Sequence, residues 1–163
     1  MRAIHPTVQR VIEAGAALGL AIEVREVAES AATAEGAAAA LGCELARIVK
    51  SLLFLADGEP VLALVSGANR LDERKLAALT GVARKRVRRA DAATAREATG
   101  FAIGGVAPFG HPRALPVYLD RDLLAHATVW AAAGTPRALF EIEPGALARA
   151  TGARVADLRA ERS

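Results

Sequence analysis

Three features of the 163-residue sequence predict a mixed α/β or α+β fold. Helical and strand patterns are interspersed, at least two strand pairs are joined as hairpins, and no repeat, linker or low-complexity tract divides the chain. Hairpins among interspersed helices imply a mixed sheet. One domain spanning residues 1–163 is expected, long enough to bury a sizeable core. With 53% hydrophobic residues and 4% aromatic, that core is expected to rest on Ala, Leu and Val.

In chain order, Pro6 can open an amphipathic helix whose Val8, Val11, Ile12, Ala16 and Leu18 recur at helical spacing until Gly19. Ala21 to Val27 alternates as a short strand. Ser30 or Thr33 can cap a second helix, stopped at Gly42. Ile48 to Leu55 and Val61 to Ser66 are apolar strands joined through Asp57-Gly58 and Pro60 as a hairpin. Asp72 caps a helix ending at Gly81, and Asp91 to Thr99 forms another. Ala114 to Leu119 reads as a strand that Pro116 keeps near an edge, followed by a helical turn from Asp120. Thr128–Ala132 and Ala138–Ile142 make a further hairpin, with Trp130 and Phe140 in the core. Pro144 opens a last helix to about Thr151, and a charged tail follows Gly152.

Two stretches carry the chemistry. Thr99 to Pro112 spends four glycines and two prolines on one loop. Gly104 and Gly105 can take positive φ, Pro108 fixes φ, and the remaining N–H groups can point at an anionic or carbonyl oxygen. A plain glycine-rich connection accounts for the same composition. The second is Lys50, set between Ile48 and Leu52 on one face of an apolar strand. An unpaired buried ammonium is costly, so Lys50 must reach water, a carboxylate or a bound anion. An edge-strand lysine that discourages aggregation is the structural alternative.

Residue types set other chemistries aside. Cys43 is the single cysteine, which excludes an intramolecular disulfide and a thiolate metal cluster. His5, His111 and His126 are scattered without metal-ligand spacing, so no metal and no cofactor is expected. No nucleophile elbow or phosphate loop is present. The start lacks a signal peptide's apolar stretch and no window reaches the ~18 apolar residues of a transmembrane span. A cytoplasmic protein with no membrane partner is expected. The net charge is +3, and Arg84, Lys85, Arg86, Arg88 and Arg89 put five cations in six residues. Such a run is a solvated face or a footprint for a phosphate backbone, here without interleaved stacking aromatics.

Lys50 within Ile48-Val-Lys-Ser-Leu-Leu-Phe, followed about 50 residues later by Gly104-Gly-Val-Ala-Pro108-Phe-Gly, resembles the YbaK/EbsC group of freestanding aminoacyl-tRNA deacylases. That group is related to the editing insertion of bacterial prolyl-tRNA synthetase. The resemblance covers nearly the whole chain and implies a mixed, partly barrel-like sheet flanked by helices. It implies hydrolysis of the ester joining a small wrong amino acid (Cys, Ala, Ser or Thr) to tRNA, with tRNAPro the first candidate. Its lysine and its substrate loop map onto Lys50 and onto Gly104 through Pro108.

Expected roles follow. Lys50 holds the acceptor end, and amides around Gly104 and Gly105 meet the developing oxyanion. Val106, Ala107, Pro108, Phe109, Gly110 and His111 complete the substrate loop, though an exposed loop histidine is the ordinary reading of His111. Ser30, Thr33 and Ser66 are candidate pocket groups, with helix capping an equal explanation for the first two. No side chain stands out as general base. The implied partners are aminoacyl-tRNA and, as a candidate, prolyl-tRNA synthetase; DNA is not expected. A non-catalytic tRNA- or synthetase-binding module of the same fold is the alternative. A small-molecule esterase is disfavoured by the missing nucleophile and base.

Overall fold

Pro6 occupies the first turn of helix α1 (Pro6–Ala17), where its missing N–H costs nothing, and the helix buries Val8 and Val11. The computed structural model describes residues 4–161; the first three residues, part of the stretch read for a leader, and the last two of the charged tail lie outside it. Strands β2 (Val49–Ala56) and β3 (Glu59–Ser66) form the expected hairpin. Its turn residues Asp57 and Gly58 have φ of 52° and 82°, the left-handed pair that a type I′ turn requires.

Around that hairpin a five-stranded sheet is completed by β4 (Val87–Arg89), β5 (Val117–Asp120) and β8 (Arg154–Ala156), in the order β4-β2-β3-β5-β8. β4 pairs antiparallel with one end of β2 only, from Phe54↔Arg89 to Ala56↔Val87. β5 runs parallel to β3, and β8 parallel to β5. A second, antiparallel sheet has the order β1-β7-β6, from β1 (Val24–Glu26), β7 (Ala138–Ile142) and β6 (Val129–Ala132). A parallel bridge between Ile48 and Trp130 joins the two sheets at one corner. The fold is thus mixed α/β, with a partly closed barrel flanked by helices.

Three of the remaining α-helices start where a side chain satisfies free N–H groups. Thr33 caps α2 (Ala34–Leu41), Asp72 caps α3 (Glu73–Thr80) and Asp91 caps α4 (Ala92–Thr99). Pro144 opens α5 (Pro144–Thr151). The main core lies between the sheets, where Val49, Leu53 and Leu55 of β2 meet Leu62, Leu64, Leu119 and Phe140. The opposite face of β2 turns Phe54 onto Leu76 and Ala77 of α3.

The core rests on Ala, Leu and Val as expected, with all four phenylalanines, 54, 101, 109 and 140, buried among them. Three expectations need correction. β5 is an interior strand: Pro116 precedes it, and needs no N–H there because only its carbonyl is used, by Leu62 N at 2.9 Å. The tail after Gly152 contributes β8, and the first strand is only three residues long.

Candidate active site

β2 is covered on one side by β3 along its whole length, but on the other by β4 only beyond Phe54. Ile48 O bonds Gly67 N on the β3 side (2.6 Å), and Leu53 O bonds Ala90 N on the β4 side (3.0 Å). By the alternation of an antiparallel ladder, the main-chain groups of Ser51 face the uncovered edge. A cavity of about 260 Å³ opens there. Its walls are the start of α2 with Thr33, Ile48 and residues 49–52 of β2, Arg89, and Ile103, Gly104 and Val106 of the glycine-rich loop. Its only charged lining groups among the described residues are Lys50 and Arg89; no carboxylate or imidazole lines it.

The loop approaches β2 because its backbone is fixed elsewhere. Gly104 has φ of 89°. Gly105 N–H closes a turn onto Ala102 O (2.9 Å), and a Cβ at Gly105 would sit 2.7 Å from Thr135 Cα. The close approach of the 135–136 backbone, rather than positive φ, is what requires glycine at 105. Among the described residues no protein acceptor meets the N–H of Gly104 or Val106, both in the cavity wall. His111 Nε2 bonds Ala107 O (2.8 Å), while its ring meets Phe101 edge-on at 6.2 Å. Phe109 packs against Phe140 (5.7 Å).

Lys50 is half-buried, and burial pushes its ammonium below the ordinary lysine value; Arg89 adds to this, while Glu35 and Asp120 oppose it. Nζ donates to the main-chain carbonyl of Asn69. The Asn69 side chain donates to Asp120 Oδ2 and to Asp122 Oδ2, both at 2.8 Å. Asp120, fully buried, also accepts from the N–H of Ser66 and Asp122, each at 3.0 Å. The bonds from Ser66 and Asn69 to Asp120 exist because parallel β3 and β5 end side by side.

The sequence matches the aminoacyl-tRNA editing domain over residues 28–150. The chain belongs to that family. EbsC of Enterococcus faecalis, provisionally named a Cys-tRNA(Pro)/Cys-tRNA(Cys) deacylase, is 30% identical over 77% of this chain and 76% of its own. A proline–tRNA ligase of Solidesulfovibrio magneticus is 41% identical over 60% of this chain, which is 16% of the ligase. A solved structure, provisionally described as a trans-editing enzyme for prolyl-tRNA synthetase, superposes with TM-score 0.92 at 48% identity, covering 98% of this chain and 100% of that one. The resemblance to YbaK/EbsC proteins read from Lys50 and the glycine loop therefore holds.

Within the editing domain the sequence-derived site residues separate. Lys50, Gly104, Val106 and Thr33 line the cavity, Thr33 while also capping α2 through Gly36 N (3.0 Å). Ala107, Pro108 and Phe109 are instead buried, and Gly110 with φ of 85° turns the chain beside Ala14. His111, expected at the substrate or exposed, is half-buried and braces the loop from behind. Ser66 is buried, its hydroxyl donating to Ala46 O (2.7 Å), and Ser30 is exposed on a 3-10 turn; neither lines the cavity.

The basic run splits as well. Arg86 pairs with Asp57 (3.0 Å), and Arg84 with Glu73 (3.1 Å). Arg89 lies over the Phe54 ring, 5.7 Å from its centroid, in the cavity wall, which Lys85 and Arg88 do not join. Sequence reasoning missed Asn69, Asp120 and Ser51, whose buried Oγ has no partner among the described residues. The Asp120-x-Asp122 spacing after a strand was the one available signal.

Proposed function

We propose that this editing domain hydrolyses the ester between a small amino acid and the 3′ end of a tRNA, with tRNAPro the first candidate. The observation that carries the reading is Lys50, held in the wall of a 260 Å³ cavity opposite Gly104 and Val106. Water adds to the ester carbonyl, the carbonyl oxygen becomes anionic, and the bond to the ribose oxygen breaks, releasing free amino acid and a tRNA 3′-terminal hydroxyl. The N–H groups of Gly104 and Val106 are available to that oxyanion, and the Lys50 ammonium holds the acceptor end against β2. With no carboxylate or imidazole in the wall among the described residues, proton transfer falls to water and to the substrate's own hydroxyl.

Alanines 32, 34, 37 and 132 line the cavity, so bulk is the natural basis of selection, suited to the Cys, Ala, Ser or Thr class. The names of the relatives support tRNAPro and an association with prolyl-tRNA synthetase, and a translational substrate supports a cytoplasmic location. The test is release of labelled amino acid from tRNAPro charged separately with Ala, Cys and Ser, and from tRNAThr and tRNAAla charged with Ser. Release from at least one is expected. Retained tRNA with no release from any would instead support the non-catalytic binding module.

A further inference from the structure

On the other side of Lys50 a larger groove, of about 1050 Å³, runs past the beginning of α3 to residues 160–161. It shares Lys50, Leu52 and Arg89 with the small cavity, so the two adjoin at these side chains. Lys50, Arg70, Arg74, Arg84 and Arg89 line it, against Asp72, Glu73 and Glu161. Two of those carboxylates are already engaged. Asp72 accepts from the N–H of Arg74 (2.9 Å) and Lys75 (3.4 Å), and Glu73 holds Arg84. Arg70 and Arg74 are exposed and, among the described residues, neither side chain makes a hydrogen bond or ion pair.

We propose that this groove seats the sugar-phosphate backbone of the tRNA acceptor strand, with Arg70 and Arg74 as its phosphate contacts. The inference rests on the deacylase reading, because an ester bound in the small cavity sets the acceptor strand beside Lys50, which lines both spaces. Guanidinium forks match phosphate oxygens, and exposed, unpaired ones can bind without first breaking an ion pair. Phe54, in the floor, is only 4% exposed and offers no face to a base. Binding here is therefore electrostatic, indifferent to base identity and steeply dependent on salt.

The experiment compares Arg70→Gln/Arg74→Gln with Lys85→Gln/Arg88→Gln, which removes the same charge from residues outside the groove. Affinity for uncharged tRNA is measured by fluorescence anisotropy across a salt series. Single-turnover hydrolysis is followed on aminoacyl-tRNA and on a 3′-aminoacyl adenosine. The first pair is expected to weaken tRNA binding roughly tenfold or more and lower the log–log salt slope by between one and two. It should slow hydrolysis of sub-saturating aminoacyl-tRNA while leaving the adenosine ester unaffected; the second pair should change binding by about twofold at most. Equal weakening by both pairs, or none by the first, overturns the groove assignment. If the unmodified protein cleaves neither ester, the deacylase reading fails, and the anisotropy comparison alone still decides the groove.

Discussion

Lys50 donates its ammonium to the main-chain carbonyl of Asn69 rather than to a carboxylate. Its charge is thereby held in place without being neutralised, which keeps it available to an incoming anion or polarised carbonyl. The acceptor is itself immobile, because the Asn69 side chain is tied to Asp120 and Asp122. A cation at the cavity is thus positioned from the C-terminal end of β5, two strands away from its own.

Asn69→Ala removes two hydrogen bonds to carboxylates and leaves the buried Asp120 with main-chain donors only. A loss of about 2–4 kcal/mol is expected, read from urea midpoints, together with slower deacylation as the Lys50 acceptor loosens. Wild-type stability in this variant would contradict the positioning role.

His111 reports on the loop through pH. Burial first, and then Arg10, push its imidazole below the ordinary value of about 6.5, with the Ala107 hydrogen bond opposing. The unfolded chain therefore takes up the proton first. Stability falls as pH drops through 6.5 towards the folded-state value, and is unaffected by this residue above 6.5. Urea midpoints between pH 7.5 and 5 should drop less in His111→Gln than in the wild type; parallel profiles would remove His111 from the account.

Gly104 and Gly105 should fail for different reasons when replaced by alanine. At Gly104 the cost is the positive φ of 89°, about 1 kcal/mol. At Gly105 a Cβ 2.7 Å from Thr135 Cα and 2.8 Å from Thr135 C must push backbone away, costing about 1–3 kcal/mol and moving the cavity wall. Thermal unfolding ranks the two, and equal small effects would deny the close approach at 105.

Ser51→Ala runs the other way. Among the described residues the buried Oγ has no partner, so its removal should stabilise the protein by up to about 1 kcal/mol. Chemical denaturation measures this; destabilisation by the same amount would show that the hydroxyl contributes a bond.

Much of this was legible because its causes are local. Asp57-Gly58 fixes the hairpin, and Thr33, Asp72 and Asp91 mark helix starts through their own side chains. Lys50 stood out because a cation interrupts an apolar strand. What escaped depends on pairing between distant segments: β8 is three residues long and exists through its parallel partner, and Asn69 meets Asp120 only because β3 and β5 lie side by side. The Arg84–Arg89 run divides for a related reason. A 3-10 turn and a strand send its neighbours in different directions, so Arg84 and Arg89 reach the groove while Arg70 and Arg74, which form no run, join them there.

The most direct test of the account is the single-turnover rate of deacylation at saturating enzyme for wild type and Lys50→Ala, on the charged tRNA that the wild type cleaves fastest, with equal folding verified by circular dichroism. Without the cation that holds the acceptor end against β2 the ester carbonyl is misplaced, which should lower that rate by about 10²-fold. An undiminished rate in a folded Lys50→Ala protein would place the chemistry elsewhere.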